Sequence, residues 1–156
     1  MYQHCELTDD FLSLHDCSAE KIEFQDGVLS FLFPEGFWIT SQHPQNESDK
    51  TVSTDAAQVD FQITEGEIEG VCIYTFRENK EGLTIRKSWE PLDFIDAVNR
   101  GDYRIEFLTQ YKSFQSMLFL CWVWFDQPPY HAECEIILDV EKVVYRWNQL
   151  RYDWVW

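Results

Sequence analysis

An Asp26-Gly27 dipeptide, with alternating apolar residues on both sides of it, constrains the fold of this chain more than any other feature. The dipeptide suits a two-residue type I′ turn, because both central residues of that turn need a positive φ. With this turn Ile22 pairs with Phe31, and the apolar residues of both strands lie on one side. The sequence therefore predicts a β-hairpin that buries one face.

The same period-two alternation recurs along most of the chain. It is clear in residues 59–63, 103–111 and 132–138, which are predicted to be half-buried strands. Residues 116–125 are apolar on both faces, which predicts a central strand covered on both sides. We therefore expect residues 1–156 to form a single domain that is mainly β. The predicted architecture is an antiparallel β-sandwich or partly open barrel of about nine or ten strands.

Two segments depart from this alternation. Residues 91–100 begin with Pro91 and are followed by Gly101, with acidic residues early and a basic residue late. These signals predict one short α-helix near residues 91–100, packed across an end or edge of the sheets. Residues 41–58 are polar and rich in turn-forming residues, which predicts a long surface loop able to serve as a mobile binding loop.

The acidic residues are concentrated in the first half of the chain. Residues 1–78 contain sixteen acidic and three basic residues, so this half carries −13 of the total net charge of −16. A solvated face is one interpretation, and a surface that binds a basic protein partner is the other. Glu65, Glu67 and Glu69 alternate along one predicted extended stretch and are candidate contacts. Nucleic acid is not an expected partner, because the chain would repel a polyanion.

The aromatic residues suggest two further functions. Trp154 and Trp156 lie in an aromatic C-terminal tail, where they are candidates for a partner interface, including that of a homodimer. Alternatively, exposed Trp and Tyr side chains on a concave sheet face would make this a carbohydrate-binding or small-ligand-binding β-domain. Core burial is expected for Trp122 or Trp124.

Motifs for cofactors, metals and catalysis are incomplete. The chain has no glycine-rich phosphate loop, and we expect no cofactor. His131-Ala132-Glu133 matches half of the zinc deaminase signature, but no Pro-Cys-x-x-Cys element follows, so we expect no metal. Glu133 and Glu135 share one face of a predicted strand, about 6.5–7 Å apart. A hydrolase that uses these paired carboxylates is therefore an alternative, although a solvent-facing row of glutamates is the simpler interpretation.

Cysteine spacing and hydropathy predict the cellular location. The five cysteines show no C-x-x-C spacing, and Cys72, Cys121 and Cys134 lie in apolar runs as predicted core residues. The longest apolar run, residues 117–125, is far shorter than the roughly 20 residues that span a membrane. The first residues lack a basic segment followed by an apolar one. We therefore expect a cytoplasmic protein that does not bind membranes.

The segment Leu14-His15-Asp16-Cys17, followed by the Asp-Gly hairpin with its apolar strands, resembles the opening of several small bacterial all-β domains. Some of those domains resemble immunity proteins encoded beside toxin genes. The resemblance implies a β fold and a binding role, in which the acidic half covers a basic toxin surface. It covers core and turn positions and therefore implies no individual functional residues.

Overall fold

The computed structural model describes residues 1–156 as fourteen β-strands, two short 3-10 turns and one α-helix. The 3-10 turns are Thr64–Gly66 and Ile68–Gly70, and the helix α1 is Pro91–Asn99. The strands are β1 His4–Glu6, β2 Leu12–Ser13, β3 Cys17–Ala19, β4 Lys21–Gln25, β5 Val28–Phe33, β6 Trp38–Ile39, β7 Val52–Thr54, β8 Ala57–Ile63, β9 Val71–Glu78, β10 Thr84–Trp89, β11 Arg104–Ser113, β12 Ser116–Trp124, β13 His131–Trp147 and β14 Leu150–Val155.

One long strand, β13, organises the main sheet. Its first half pairs with β12 on one side and β9 on the other, and its second half pairs with β8 and β1. Val140 pairs with Ile63 and Lys142 with Gln62, which leaves Glu141 as an extra, bulged residue. Bulges bend strands, and this one lies where β13 passes from one set of partners to the other. Ten strands belong to this sheet, and four more form a second sheet in the order β14-β7-β6-β2.

The predicted fold class is confirmed, since the chain is mainly antiparallel β with one helix and no closed barrel. The Asp26-Gly27 hairpin has the predicted register, with Ile22 opposite Phe31. Both turn residues have a positive φ, +52° and +76°, as a type I′ turn requires. The chain contains no helix with the length and hydropathy needed to cross a membrane.

Helix α1 covers the free edge of β4, where the sequence analysis expected a helix at an end or edge. The Asn99 side chain accepts a hydrogen bond from the Ile22 backbone N–H (2.9 Å) and donates one to the Ile22 carbonyl (2.8 Å). One amide side chain thus takes the place of a neighbouring strand, which protects this edge from pairing with another chain. Phe94 and Val98 of the same helix are buried in the core.

The core is one cluster of 30 buried residues between the two halves of the bent sheet. At its centre Phe107 packs against Phe31, Phe33 and Phe119, with ring centroids 5.2–5.4 Å apart. Such edge-on and tilted contacts between rings stabilise the fold beyond what the burial of the rings contributes. The fully buried tryptophan is Trp147, whereas Trp122 and Trp124 are only half-buried, so the prediction that one of those two occupies the core is wrong.

Residues 41–58 do not form one long loop, so that prediction is wrong. Residues 52–54 are strand β7, which is fully buried, and β8 begins at residue 57. The turns that precede β7 are also held in place by hydrogen bonds from a buried side chain. The buried Asn46 side chain donates hydrogen bonds to the carbonyls of Ile39 (3.2 Å) and Lys50 (2.8 Å).

The five cysteines divide by exposure, and Cys72 lies on the surface rather than in the core as predicted. Burial raises the pKa of the Cys17 thiol to about 12 and raises the pKa values of Cys121 and Cys134. Since the thiolate is the reactive form, we expect only Cys5 and Cys72 to react rapidly with a disulfide reagent in the native protein. The absorbance of the released chromophore should correspond to two rapidly reacting thiols in the native protein and to five thiols in the urea-unfolded protein. A third fast thiol in the native state would contradict this burial pattern.

Candidate functional site

The predicted acidic contacts lie in the connection between β8 and β9, at the bend of the main sheet. Glu65 and Glu69 belong to the two 3-10 turns and Glu67 joins them, so the three residues do not alternate along an extended strand as predicted. Glu65 has a φ of +61°, which is uncommon for a residue other than glycine. All three side chains are exposed, and they project from a compact turn instead of a sheet face.

Other acidic residues surround this turn. The Asp26-Gly27 turn lies against it, close enough that a Cβ atom added to Gly27 would be 2.7 Å from the Cα of Gly66. The Glu65 backbone N–H is 3.4 Å from the carboxylate of Glu141, the bulged residue of β13. We call this group the acidic end. It comprises six exposed carboxylates, those of Asp26, Glu65, Glu67, Glu69, Asp139 and Glu141.

None of the six carboxylates of the acidic end forms an ion pair. Nor does any group of three or more His, Cys, Asp or Glu residues in the chain converge closely enough to hold a metal ion. The carboxylates are therefore solvated and separate. Such an arrangement acts through its long-range negative field.

Two other acidic residues of the first half are already paired and serve the fold. Asp60 is buried and accepts hydrogen bonds from the Ser30 hydroxyl (2.7 Å) and the Arg146 guanidinium (2.7 Å), which raises the pKa of Arg146. Burial raises the pKa of Asp9, but hydrogen bonds from Lys112 and Gln110 outweigh it and hold that pKa below its ordinary value. These carboxylates are not free for a partner.

Trp154 and Trp156, the predicted aromatic contacts, are exposed on or just beyond β14, an edge strand of the small sheet. The Trp156 ring stacks on His15 at 5.4 Å and tilts against Trp38 at 5.8 Å. The Arg151 guanidinium lies 4.7 Å above the Trp154 ring. A cleft of about 220 Å³ opens beside these rings, and its walls include Asp16, Glu20, Glu35, Trp38, Arg104 and Trp154.

Strand β12 is central, as predicted, but only one of its faces is covered. Met117, Phe119, Cys121 and Val123 are buried in the core, while the alternate residues remain half-exposed. The prediction of cover on both sides is therefore wrong. We call the solvent side of β11, β12, the first half of β13, β9 and β10 the open face. Seven of its apolar residues are half-buried, and none packs against the core cluster: Tyr74, Phe76, Leu118, Leu120, Trp122, Trp124 and Ile137.

Glu133 and Glu135 lie at the centre of the open face, on the middle of its five strands. They share one strand face, as the sequence analysis predicted. Cross-strand pairing places Glu133 between Trp122 and Phe76. The same pairing places Glu135 between Leu120 and Tyr74. Each carboxylate thus has an apolar or aromatic side chain on both sides.

The other charges of the open face leave these two glutamates without a partner. Arg104 lies over the Trp124 ring at 6.0 Å, and Arg86 over the Tyr74 ring at 4.8 Å. The Trp124 indole N–H donates to Glu106 (2.6 Å). Glu133 and Glu135 form no ion pair. The hydrolase hypothesis thus gains two carboxylates on one face, but neither residue lines any of the main surface cavities.

The apolar part of the open face was not predicted from the sequence. A sequence signal for this surface was present, because residues 117–125 are all apolar and both the inward and the outward positions of the strand are therefore apolar. Such a pattern predicts a strand covered on both sides. The contribution of β9 was not visible, since Tyr74 and Phe76 reach the face only through the pairing of β9 with β13.

Comparisons of the chain with protein-family models, with curated proteins and with solved structures found no match. Geometry and charge are therefore the basis for assigning a function to this chain.

Proposed function

We propose that this chain is a non-enzymatic, cytoplasmic interaction protein whose acidic surface binds a basic protein partner, in the manner of an immunity protein. The observation that carries the proposal is the acidic end, where six exposed carboxylates have no ion-pair partner. A folded protein gains nothing in stability from unpaired like charges, because they repel one another. Their concentration at one end is explained if they attract a cationic surface.

The contrast with the paired carboxylates supports this proposal. Asp9 and Asp60 have basic partners within the chain, and Lys112 and Arg146 are committed to them. Glu65, Glu67 and Glu69 have none, although Lys142 lies on the neighbouring segment of β13. An excess of negative charge that the chain does not neutralise raises the rate of encounter with a basic protein, especially at low ionic strength.

Neutralising the acidic turn should slow association. In the triple variant Glu65→Gln, Glu67→Gln, Glu69→Gln, we expect the association rate with the captured partner to fall about three- to tenfold at low salt. Dissociation should change little, because exposed charges act mainly before contact. Surface plasmon resonance at several salt concentrations measures both rates. The matched control carries the same change in net charge at scattered exposed positions: Glu47→Gln, Glu81→Gln, Glu90→Gln.

The partner for this measurement is captured from the source cell on the immobilised 156-residue chain at low salt, then identified and purified. Capture should fail at high salt, since exposed charge pairs are screened there. No partner at low salt, or a partner whose binding is indifferent to salt, would count against the proposal. An equal loss of association rate in the control triple variant would mean that net charge alone is responsible, and the acidic end would lose its role.

A second function is favoured by the cleft beside Trp38 and Trp154. Aromatic rings next to the carboxylates of Asp16, Glu20 and Glu35 provide stacking and hydrogen-bond acceptors for a carbohydrate or another small polar ligand. Tryptophan fluorescence measured against panels of sugars and lipids separates this alternative from protein binding. A flat response to every ligand would remove it.

A further inference from the structure

We propose that the open face is the surface on which the basic partner docks, and that the partner presents Lys or Arg side chains flanked by apolar residues. This inference rests on the proposed function and assigns it to a defined surface. The acidic end attracts the partner, and the open face holds it. Glu133 and Glu135 are then the central ionic contacts of the complex.

The apolar content of the open face is the first argument. Leu118, Leu120, Trp122 and Trp124 occupy every outward position in most of β12, and Ile137 continues the surface onto β13. Strands that are apolar on both sides normally have a layer on each side. Here the chain supplies one layer only, since none of these residues packs against the core cluster. A contiguous exposed apolar surface of this kind marks an interaction site.

The charge at the centre of the face indicates what covers it. The Glu133 carboxylate stands between Trp122 and Phe76, and no cation of the chain pairs with it. A lysine or arginine from a partner would lay its aliphatic stem against the flanking side chains and bring its charged group to the carboxylate. The aromatic rings add a cation–π contribution. An uncharged apolar partner would instead bury Glu133 and Glu135 without compensation, which is costly.

A second copy of the chain fits this face poorly. Because β13 is the middle strand of five, a two-fold axis through the centre of the face brings Glu133 and Glu135 of both copies together. Four unpaired carboxylates would then meet in a desolvated interface, between two molecules that each carry a net charge of −16. Like charges juxtaposed in an interface suppress association. Charge complementarity therefore favours a basic partner of different sequence.

The size of the face matches the central part of a protein–protein interface. Five strands at about 4.8 Å spacing and four residue rows at about 6.8 Å spacing give an area on the order of 500 Å². A standard protein–protein interface buries about 800 Å² on each partner. The open face thus provides the central part of such an interface, and the surrounding polar residues, including Arg86 and Thr109, provide its rim.

A pair of double variants with the same change in net charge tests the proposal. Glu133→Gln with Glu135→Gln alters the open face, and Glu67→Gln with Glu69→Gln alters the acidic end. With the captured and purified partner, we expect the first variant to raise Kd about tenfold or more, chiefly through faster dissociation. The second should raise Kd less than about threefold, through slower association. Circular dichroism and thermal unfolding check that both variants fold.

Hydroxyl-radical footprinting of the complex of the unmodified chain gives a readout that does not depend on variants. Trp122 and Trp124 should be protected from oxidation when the partner is bound, whereas the oxidation of Trp156 should not change.

Salt-sensitive binding without protection of Trp122, or without an effect of the Glu133 and Glu135 substitutions, would overturn this inference and leave the proposed function intact. Absence of any salt-sensitive partner would overturn both. Sedimentation that shows a dimer strengthened by these two substitutions would assign the open face to a second copy and also overturn the inference.

Discussion

Replacing Gly36 with alanine is expected to lower the free energy of unfolding by more than about 3 kcal/mol, which is a large fraction of the roughly 5–15 kcal/mol that folded domains usually have. Gly36 has a φ of +79°, a backbone conformation that residues with a Cβ atom rarely adopt. A Cβ at this position would lie 2.4 Å from the Thr54 carbonyl oxygen and 2.5 Å from that of Asp55. Backbone oxygens cannot rotate away, and moving them would displace β7 from the core.

Gly101 provides the matched control for this prediction. Its φ is +84°, close to that of Gly36, but no atom lies within 4 Å of the position that a Cβ would occupy. Gly101→Ala should therefore cost only the conformational strain, about 1–2 kcal/mol. Urea unfolding followed by tryptophan fluorescence measures both variants. Equal losses would show that backbone conformation alone, and not the close approach of Thr54 and Asp55, determines the requirement for glycine at residue 36.

Truncating Phe107 is expected to cost about 3–5 kcal/mol, as for other large side chains in a packed core. Its ring packs against those of Phe31, Phe33 and Phe119 from both halves of the bent sheet. The cavity left by Phe107→Ala would lie at the centre of the core, where its walls cannot collapse without moving both halves of the main sheet. Thermal and urea unfolding of the variant give the loss.

Trp122→Ala is the informative comparison, because Trp122 is the larger side chain and lies on the next strand. Its ring is on the open face, beside Glu133 and His131, and contacts no part of the core cluster. We expect a loss of only about 1 kcal/mol, near the average for point substitutions in general. A loss as large as that of Phe107→Ala would mean that the open face contributes to the stability of the chain itself. The inference that a partner covers the open face would then be wrong.

Taken together, the variants described above separate the residues that maintain the fold from those that are available for binding. Gly36 and Phe107 lie where the chain is tightly packed, and their replacement should affect stability first. Trp122, Glu133 and Glu135 lie where the chain is open, and their replacement should affect affinity first. Glu65, Glu67 and Glu69 should affect neither stability nor dissociation, but only the rate of encounter.

Local structure followed from the sequence where neighbouring residues determine it. The hairpin at Asp26-Gly27 and the helix beginning at Pro91 were predicted correctly, because turn conformation and helix ends depend on a few adjacent residues. Glu65, Glu67 and Glu69 were predicted to alternate along one extended stretch. Its actual form, two 3-10 turns, depends on contacts with the Asp26-Gly27 turn and with Glu141, which are distant in sequence.

The sequence by itself determined that this chain is mainly β, that it has one short helix and that its negative charge is concentrated in the first half. Only the tertiary structure decided that β13 is one bent strand shared by two halves of a sheet, and that the outer side of β12 has no cover. The physical reason is that period-two alternation reports which side chains point in the same direction. It cannot report whether the layer above them comes from the same chain, since that depends on how strands distant in sequence pair and on where the sheet bends.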